Sequence, residues 1–105
     1  MTDRELLELA AKAAGMPASI WWWVDGVLCK AGDVHTPWNP LTDDGDALRL
    51  AVKTKMEVCV WDTDTTVLTS NDDISTLSEP TNGDPYAATR RAITRAAAEI
   101  GRNMK

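Results

Sequence analysis

His35, Cys29 and Cys59 are the residues of this 105-residue chain with the most latent chemistry. A hydrolase built on the single histidine needs a carboxylate to orient the imidazole and a nucleophile beside it. His35 instead sits between Val34 and Thr36 in a loop, and neither Ser19 nor Ser70 lies in a nucleophile-elbow context. Cys29, His35 and Cys59 would give zinc three ligands, but there is no Cys-x-x-Cys pair and no second histidine, so a structural site would lack its fourth ligand. Two small apolar side chains, kept reduced in a cytosol, is the better reading of the cysteines. A small hydrolase or metal enzyme using His35 stays as a rival reading.

The aspartates invite a cation. Asp62-x-Asp64 opens like a calcium loop, yet Val67 stands where the sixth-position glycine belongs and Asp73 where the twelfth-position glutamate belongs. Asp43, Asp44 and Asp46 precede an apolar run, where carboxylates complement a helix dipole and cap its free amides. The glycines form neither phosphate-binding pattern, which argues against a nucleotide enzyme. No cofactor and no metal is expected.

With no assembled reactive set, surfaces are what is left. Five tryptophans, one tyrosine and no phenylalanine make a skewed aromatic set, and tryptophan is enriched in interface hot spots. Trp21 and Trp23 share one strand face and are read as packing, whereas Trp22, on the opposite face, and Trp38 are the aromatic candidates for partner binding. An acidic surface of Asp43, Asp44, Asp46, Asp62, Asp64, Asp72 and Asp73 could face a basic cleft of a protein partner. Arg90, Arg91, Arg95 and Arg102 form the alternative face, for nucleic acid. Residues 1–83 carry six basic against fourteen acidic side chains, a net of −8, and residues 84–105 carry five against two, a net of +3. An acidic body repels polyphosphate, so nucleic acid is the weaker partner and the arginines read first as a solvated helix face.

The elements that must position these groups are signalled locally. Thr2-Asp3-Arg4-Glu5 is a capping box, Leu6, Leu7, Leu9, Ala10, Ala13 and Ala14 recur at helical spacing, and Gly15 with Pro17 ends the run, which predicts a helix over 3–14. Ile20 to Val24, then Asp25-Gly26, then Val27 to Lys30 predict a β-hairpin. Pro37 and Pro40 make 32–40 a loop, and a helix follows over 43–53 with Thr42 or Asn39 as its cap. Met56 to Trp61 alternates, Thr65 to Thr69 is a return strand, and 71–83 reads as a polar loop. Asp84-Pro85 starts and Gly101 stops a last helix over 85–100. Leu7 to Lys12 resembles Leu48 to Lys53 forty-one positions later, for which convergence of two amphipathic helices is a better account than duplication.

The order is α-β-β-α-β-β-α in one domain. It predicts an α+β fold with an antiparallel sheet of about four strands and helices packed on its faces, or in a two-layer version all helices on one face. No apolar run approaches the roughly 20 residues of a membrane span, and no charged-then-apolar leader opens the chain, so a cytoplasmic protein is expected.

The block Trp38-Asn39-Pro40-Leu41-Thr42-Asp43-Asp44-Gly45-Asp46-Ala47-Leu48-Arg49-Leu50-Ala51-Val52 and the closing stretch Ala87 to Gly101 resemble small phage and prophage alpha-beta-alpha sandwich proteins, most of unassigned function. The resemblance implies the same layering and a bacterial host, and it carries over no functional residues. The resulting expectation is a non-enzymatic phage or prophage accessory protein that binds a host or phage protein in the bacterial cytosol, with an acidic inhibitor of a host defence factor as one form. The partner and any homo-oligomerisation are left open.

Overall fold

The computed structural model describes residues 2–16, 21–24, 26–30, 36–70 and 74–104. Three helices, α1 (Asp3–Ala13), α2 (Asp44–Lys53) and α3 (Pro85–Asn103), alternate with six strands. Strands β1 (Trp21–Val24), β2 (Val27–Lys30) and β3 (Thr36–Pro37) form one antiparallel sheet in that order. Strands β4 (Glu57–Val60), β5 (Asp64–Ser70) and β6 (Ile74–Pro80) form a second. The α+β class holds, but two three-stranded sheets replace the expected sheet of about four strands.

Both extra strands fell in stretches read as loop. β3 is only two residues long and lies at the sheet edge, where Pro37 costs no ladder bond. β6 hides its alternation: of its core-facing positions Leu77 is apolar, but Glu79, opposite the buried Thr65, is charged. Burial there is compensated by charge. Arg95 Nη1 donates to Glu79 Oε2 at 2.5 Å, and Arg91 Nε lies 3.7 Å from Oε1.

The helices begin where side-chain acceptors meet free amides. Thr2 Oγ1 accepts from the Glu5 amide at 3.1 Å, and Asp84 Oδ1 from the Ala87 amide at 3.1 Å with Pro85 following, as the capping signals imply. The α2 cap is Asp43, not Thr42 or Asn39, its Oδ2 accepting from the Asp46 amide at 2.8 Å. α1 and α2 end alike: the Gly15 amide donates to Lys12 O and Met16 to Ala11 O, just as Lys55 donates to Val52 O and Met56 to Ala51 O. These are paired Schellman closures, with Gly15 at φ 80° and Lys55 at φ 58° in the left-handed position.

Aligned on their C-terminal closures, the two helices correspond at an offset of forty. Leu6, Leu7, Ala10 and Ala11 are buried in α1, and Asp46, Ala47, Leu50 and Ala51 in α2. The sequence similarity runs at forty-one, the offset of the N-caps Thr2 and Asp43 but one residue out of step with the buried positions and the C-terminal closures, so it reflects shared amphipathic composition.

α3 is the hub. One of its faces lies across the second sheet against Val67 and Thr65, and α1 and α2 pack along its flanks. The α1–α3 crossing is built from Ala10, Ala11, Ala97 and Ala98, all buried, and from Gly101. The expected stop at Gly101 is therefore a correction: α3 continues to Asn103, and the missing side chain lets α1 approach. A Cβ at Gly101 would collide with Leu9 O and stand 2.8 Å from the Leu9 carbonyl carbon.

The first sheet joins the same core through Leu28, with Trp21 and Trp23 packed against it. Trp23 Nε1 donates to Glu8 Oε1 at 3.0 Å, and the Arg4 guanidinium lies 4.5 Å from the Trp23 ring centroid. The second sheet is covered by α3 on one side. Its other side carries exposed Thr76 and Ser78, the latter sharing a 3.2 Å hydroxyl contact with Thr66, so the sandwich expected around a single sheet is not formed there.

Candidate binding groove

The Trp38–Leu50 block is a structural unit. Trp38 is 4% exposed within the core cluster, and its amide donates to Leu28 O at 2.8 Å. Asn39 organises the turn: its amide donates to Asp46 Oδ2 at 2.9 Å, its Oδ1 accepts from the Leu41 amide at 3.0 Å, and its carbonyl accepts from the Asp43 amide at 2.9 Å. Asp46, although charged, is buried because Arg49 Nη2 also reaches its Oδ1 at 2.6 Å.

The sequence-based binding candidates consequently separate. Trp38 fills the core and does not reach the surface as a partner contact. Asp43 caps α2 and lies 3.8 Å from Arg49, while Asp44 pairs with Arg90 Nη1 at 2.6 Å. Asp62 and Asp64 lie at the β4–β5 turn, Asp62 exposed and Asp64 half-buried, with Asp64 accepting from Thr63 and Thr66 hydroxyls. Trp22 is half-buried on β1, beside Cys29 of β2. Asp72, Asp73 and His35 lie outside the described residues.

The arginines of α3 are built into the fold. Arg90 bridges to α2, its Nε donating to Leu41 O at 2.9 Å beside the Asp44 pair. Arg91 lies 3.2 Å from Asp3 of α1, Arg91 and Arg95 both reach Glu79 of β6, and Arg102 lies 3.4 Å from Glu99. Arg95 thus takes its partner from β6 and not from its own helix. Each of the four arginines has a carboxylate neighbour, so they do not form a free basic stripe.

An apolar groove of about 540 Å³ opens between α2, β4 and α3. Ile93 lies at the α3 side, Ala47, Leu48 and Ala51 form the α2 wall, and Val58 and Val60 form the β4 wall. At one end stand Pro85 and Tyr86 with the Asp44–Arg90 ion pair. Three of its lining residues are large apolar side chains left in solvent, Leu48 65% exposed, Val60 57% and Tyr86 69%, while Val52 of α2 is 70% exposed and Trp61, next to Val60, 59%. A smaller hollow of about 260 Å³ lies between Arg4, Trp23, Gly26 and Leu41.

None of the exposed five was singled out as a binding residue from sequence. One signal was present. Ala47, Leu48, Leu50, Ala51 and Val52 span roughly 200° of a helical wheel at 100° per residue, about twice the width of a stripe that faces a core. The chemistry of the groove is hydrophobic contact with an ion pair at its mouth. Among the described residues, no three His, Cys, Asp or Glu side chains group to hold a metal ion, and no helix is long and apolar enough to cross a membrane. Comparison of the chain with protein-family models, with curated proteins and with solved structures finds no match.

Proposed function

We propose that this chain is a non-enzymatic accessory protein of a phage or prophage that acts in the bacterial cytosol by binding a protein through the α2–α3–β4 groove. The observation that carries the reading is that Leu48, Val60 and Tyr86, each more than half exposed, line a groove whose walls are themselves apolar, with exposed Val52 one turn further along α2. Scattered apolar residues on a surface are ordinary, whereas a contiguous patch rimmed by charge marks an interaction surface. The phage assignment rests on the resemblance of the Trp38–Val52 and Ala87–Gly101 blocks. The acidic-inhibitor form has less support, because Asp43, Asp44 and Asp46 already serve Arg49, Arg90 and the α2 amides.

The test compares tagged wild-type chain with Leu48→Asp and with Asp62→Asn in capture from bacterial lysate, read by mass spectrometry. Loss of specific capture in Leu48→Asp, with unchanged melting temperature and with capture retained by Asp62→Asn, supports the groove. Capture that follows Asp62 and ignores Leu48 would return the working surface to the acidic residues.

A further inference from the structure

Resting on the reading of the groove as a protein-binding surface, we infer that its occupant is a second copy of this chain, docked across a two-fold axis with β4 antiparallel to its symmetry mate. Among the described residues β4 is the edge of the second sheet, bonded to β5 on one side only. Sheet edges that must stay free are usually blunted by proline, by lysine or by a bulge. Glu57-Val58-Cys59-Val60 is short and charged at Glu57, but it carries no proline or lysine, and its register with β5 is regular from Glu57↔Leu68 to Val60↔Thr65. Two β4 strands side by side would join the sheets into one of six strands.

α2 supplies a second indication. With the C-terminal closures and buried positions aligned, Leu48 and Val52 occupy the positions held in α1 by Glu8 and Lys12. Those two make polar contacts, Glu8 with Trp23 and Arg4, and Lys12 Nζ with Met104 O at 2.9 Å. An aliphatic pair four residues apart at such positions forms a ridge suited to another helix. The two-fold that pairs β4 with β4 sets α2 beside its mate on the same side of the joined sheet.

Strand geometry then limits the register. Residues directly opposite in an antiparallel pair point to the same face, so β4 can face its mate only in registers that keep Val58 and Val60 together on the helix side. Placing Cys59 opposite Cys59 pairs Val58 with Val60 twice on that side and Glu57 with Trp61 twice on the other. The same alignment brings the Lys55 end of each β4 toward the Asp62–Asp64 turn of its mate. A parallel arrangement sets Lys55 beside Lys55 and Asp62 beside Asp62, a repulsive alignment. Opposite charge at the two ends of one strand is what an isologous contact requires.

The area is of the right order. A stable interface buries roughly 800 Å² on each partner. Trp61 at 59% and Tyr86 at 69% exposure supply on the order of 250 Å² of that. The Leu48–Val52 ridge, Val60, the groove walls and the strand backbone make up the remainder.

Sedimentation equilibrium of the full chain over a dilution series, with a short bismaleimide as a thiol crosslinker, tests this. The expected result is a reversible dimer at micromolar concentration, crosslinked in wild type and in Cys29→Ser but not in Cys59→Ser. Val60→Lys, at a 57% exposed position, should raise the dimer dissociation constant more than tenfold without changing the melting temperature of dilute protein. A chain that stays monomeric at hundreds of micromolar, or a dimer that Val60→Lys leaves intact, overturns the inference, as does a dimer with no Cys59 crosslink. If the chain is monomeric and Leu48→Asp still abolishes lysate capture, the second-copy occupant fails and the groove reading stands. If it is monomeric and capture ignores the groove, both fail.

Discussion

Gly101→Ala separates a glycine that ends a helix from one that lets two helices meet. In an exposed helix interior the substitution would stabilise by about 1 kcal/mol, because alanine has the better helix propensity. Here the new Cβ would stand 2.8 Å from the Leu9 carbonyl carbon and 3.3 Å from Leu9 Cα, and closer still to Leu9 O. All three are backbone or backbone-attached atoms of α1, so no rotamer change gives relief and the helices must part. The cost falls on the α1–α3 contact, where Ala10, Ala11, Ala97 and Ala98 are at most 1% exposed. Overpacking of this kind costs roughly 1–3 kcal/mol, at the upper end when the obstacle is main chain. After the propensity gain, a net loss of about 2 kcal/mol remains, which in a domain of this size lowers the melting temperature by roughly 10 °C. Thermal and urea denaturation followed by circular dichroism measure it. Leu9→Ala should not rescue the variant, since the obstacle is a carbonyl. A Gly101→Ala protein as stable as wild type or more so would refute the close approach, and rescue by Leu9→Ala would show that a side chain was in the way.

Asp46→Ala should destabilise by about 2 kcal/mol in urea denaturation, chiefly because the Asn39 amide loses its acceptor in a buried turn; the loss of Arg49, which is 67% exposed, adds little. Asp43→Ala should cost about 1 kcal/mol as loss of a helix cap, while Thr42→Ala, at an exposed non-capping position, should fall within about 0.5 kcal/mol of wild type; equal effects at the two positions would refute the assignment of the cap. Lys55→Gly should raise stability by about 1 kcal/mol in dilute monomer, since φ 58° is strained for a side-chain-bearing residue, and a lower melting temperature would mean that the lysine side chain holds the α2–β4 turn.

Capping chemistry made the helices legible before the structure. Thr2 with Glu5, and Asp84 with Pro85, name their own positions because a short polar side chain next to free amides has few other uses. The alternation of Val58 and Val60 against Cys59 was likewise readable, since one face of β4 turns to the helices. What was not legible depended on partners distant in sequence. Glu79 looks like a loop residue until Arg91 and Arg95 are placed above it, and with it β6 disappears from the pattern. Gly101 looks like a stop because its reason for being glycine is Leu9, ninety-two residues earlier. Asp43, Asp44 and Asp46 looked like a free acidic surface because the two arginines that serve them, Arg49 and Arg90, lie on a helix face and on another helix.

The groove was hidden for a different reason. A leucine awaiting a partner and a leucine already in a core are the same letter at the same helical spacing, and only burial tells them apart. Leu50 is 2% exposed and Leu48 65%, two residues apart on one helix. The excess width of the α2 apolar arc is the trace such a surface leaves in sequence, because a helix on the outside of a small domain has one core to face and a second apolar flank needs a second thing to bury it. The polar residues at the corresponding positions of α1, Glu8 and Lys12, show what this fold places there when the second thing is absent. On that argument the ridge and the β4 edge stand together: each leaves a binding requirement unmet by its own chain, a helix flank that wants apolar cover and a strand edge that wants backbone partners. One self-complementary contact meets both at once.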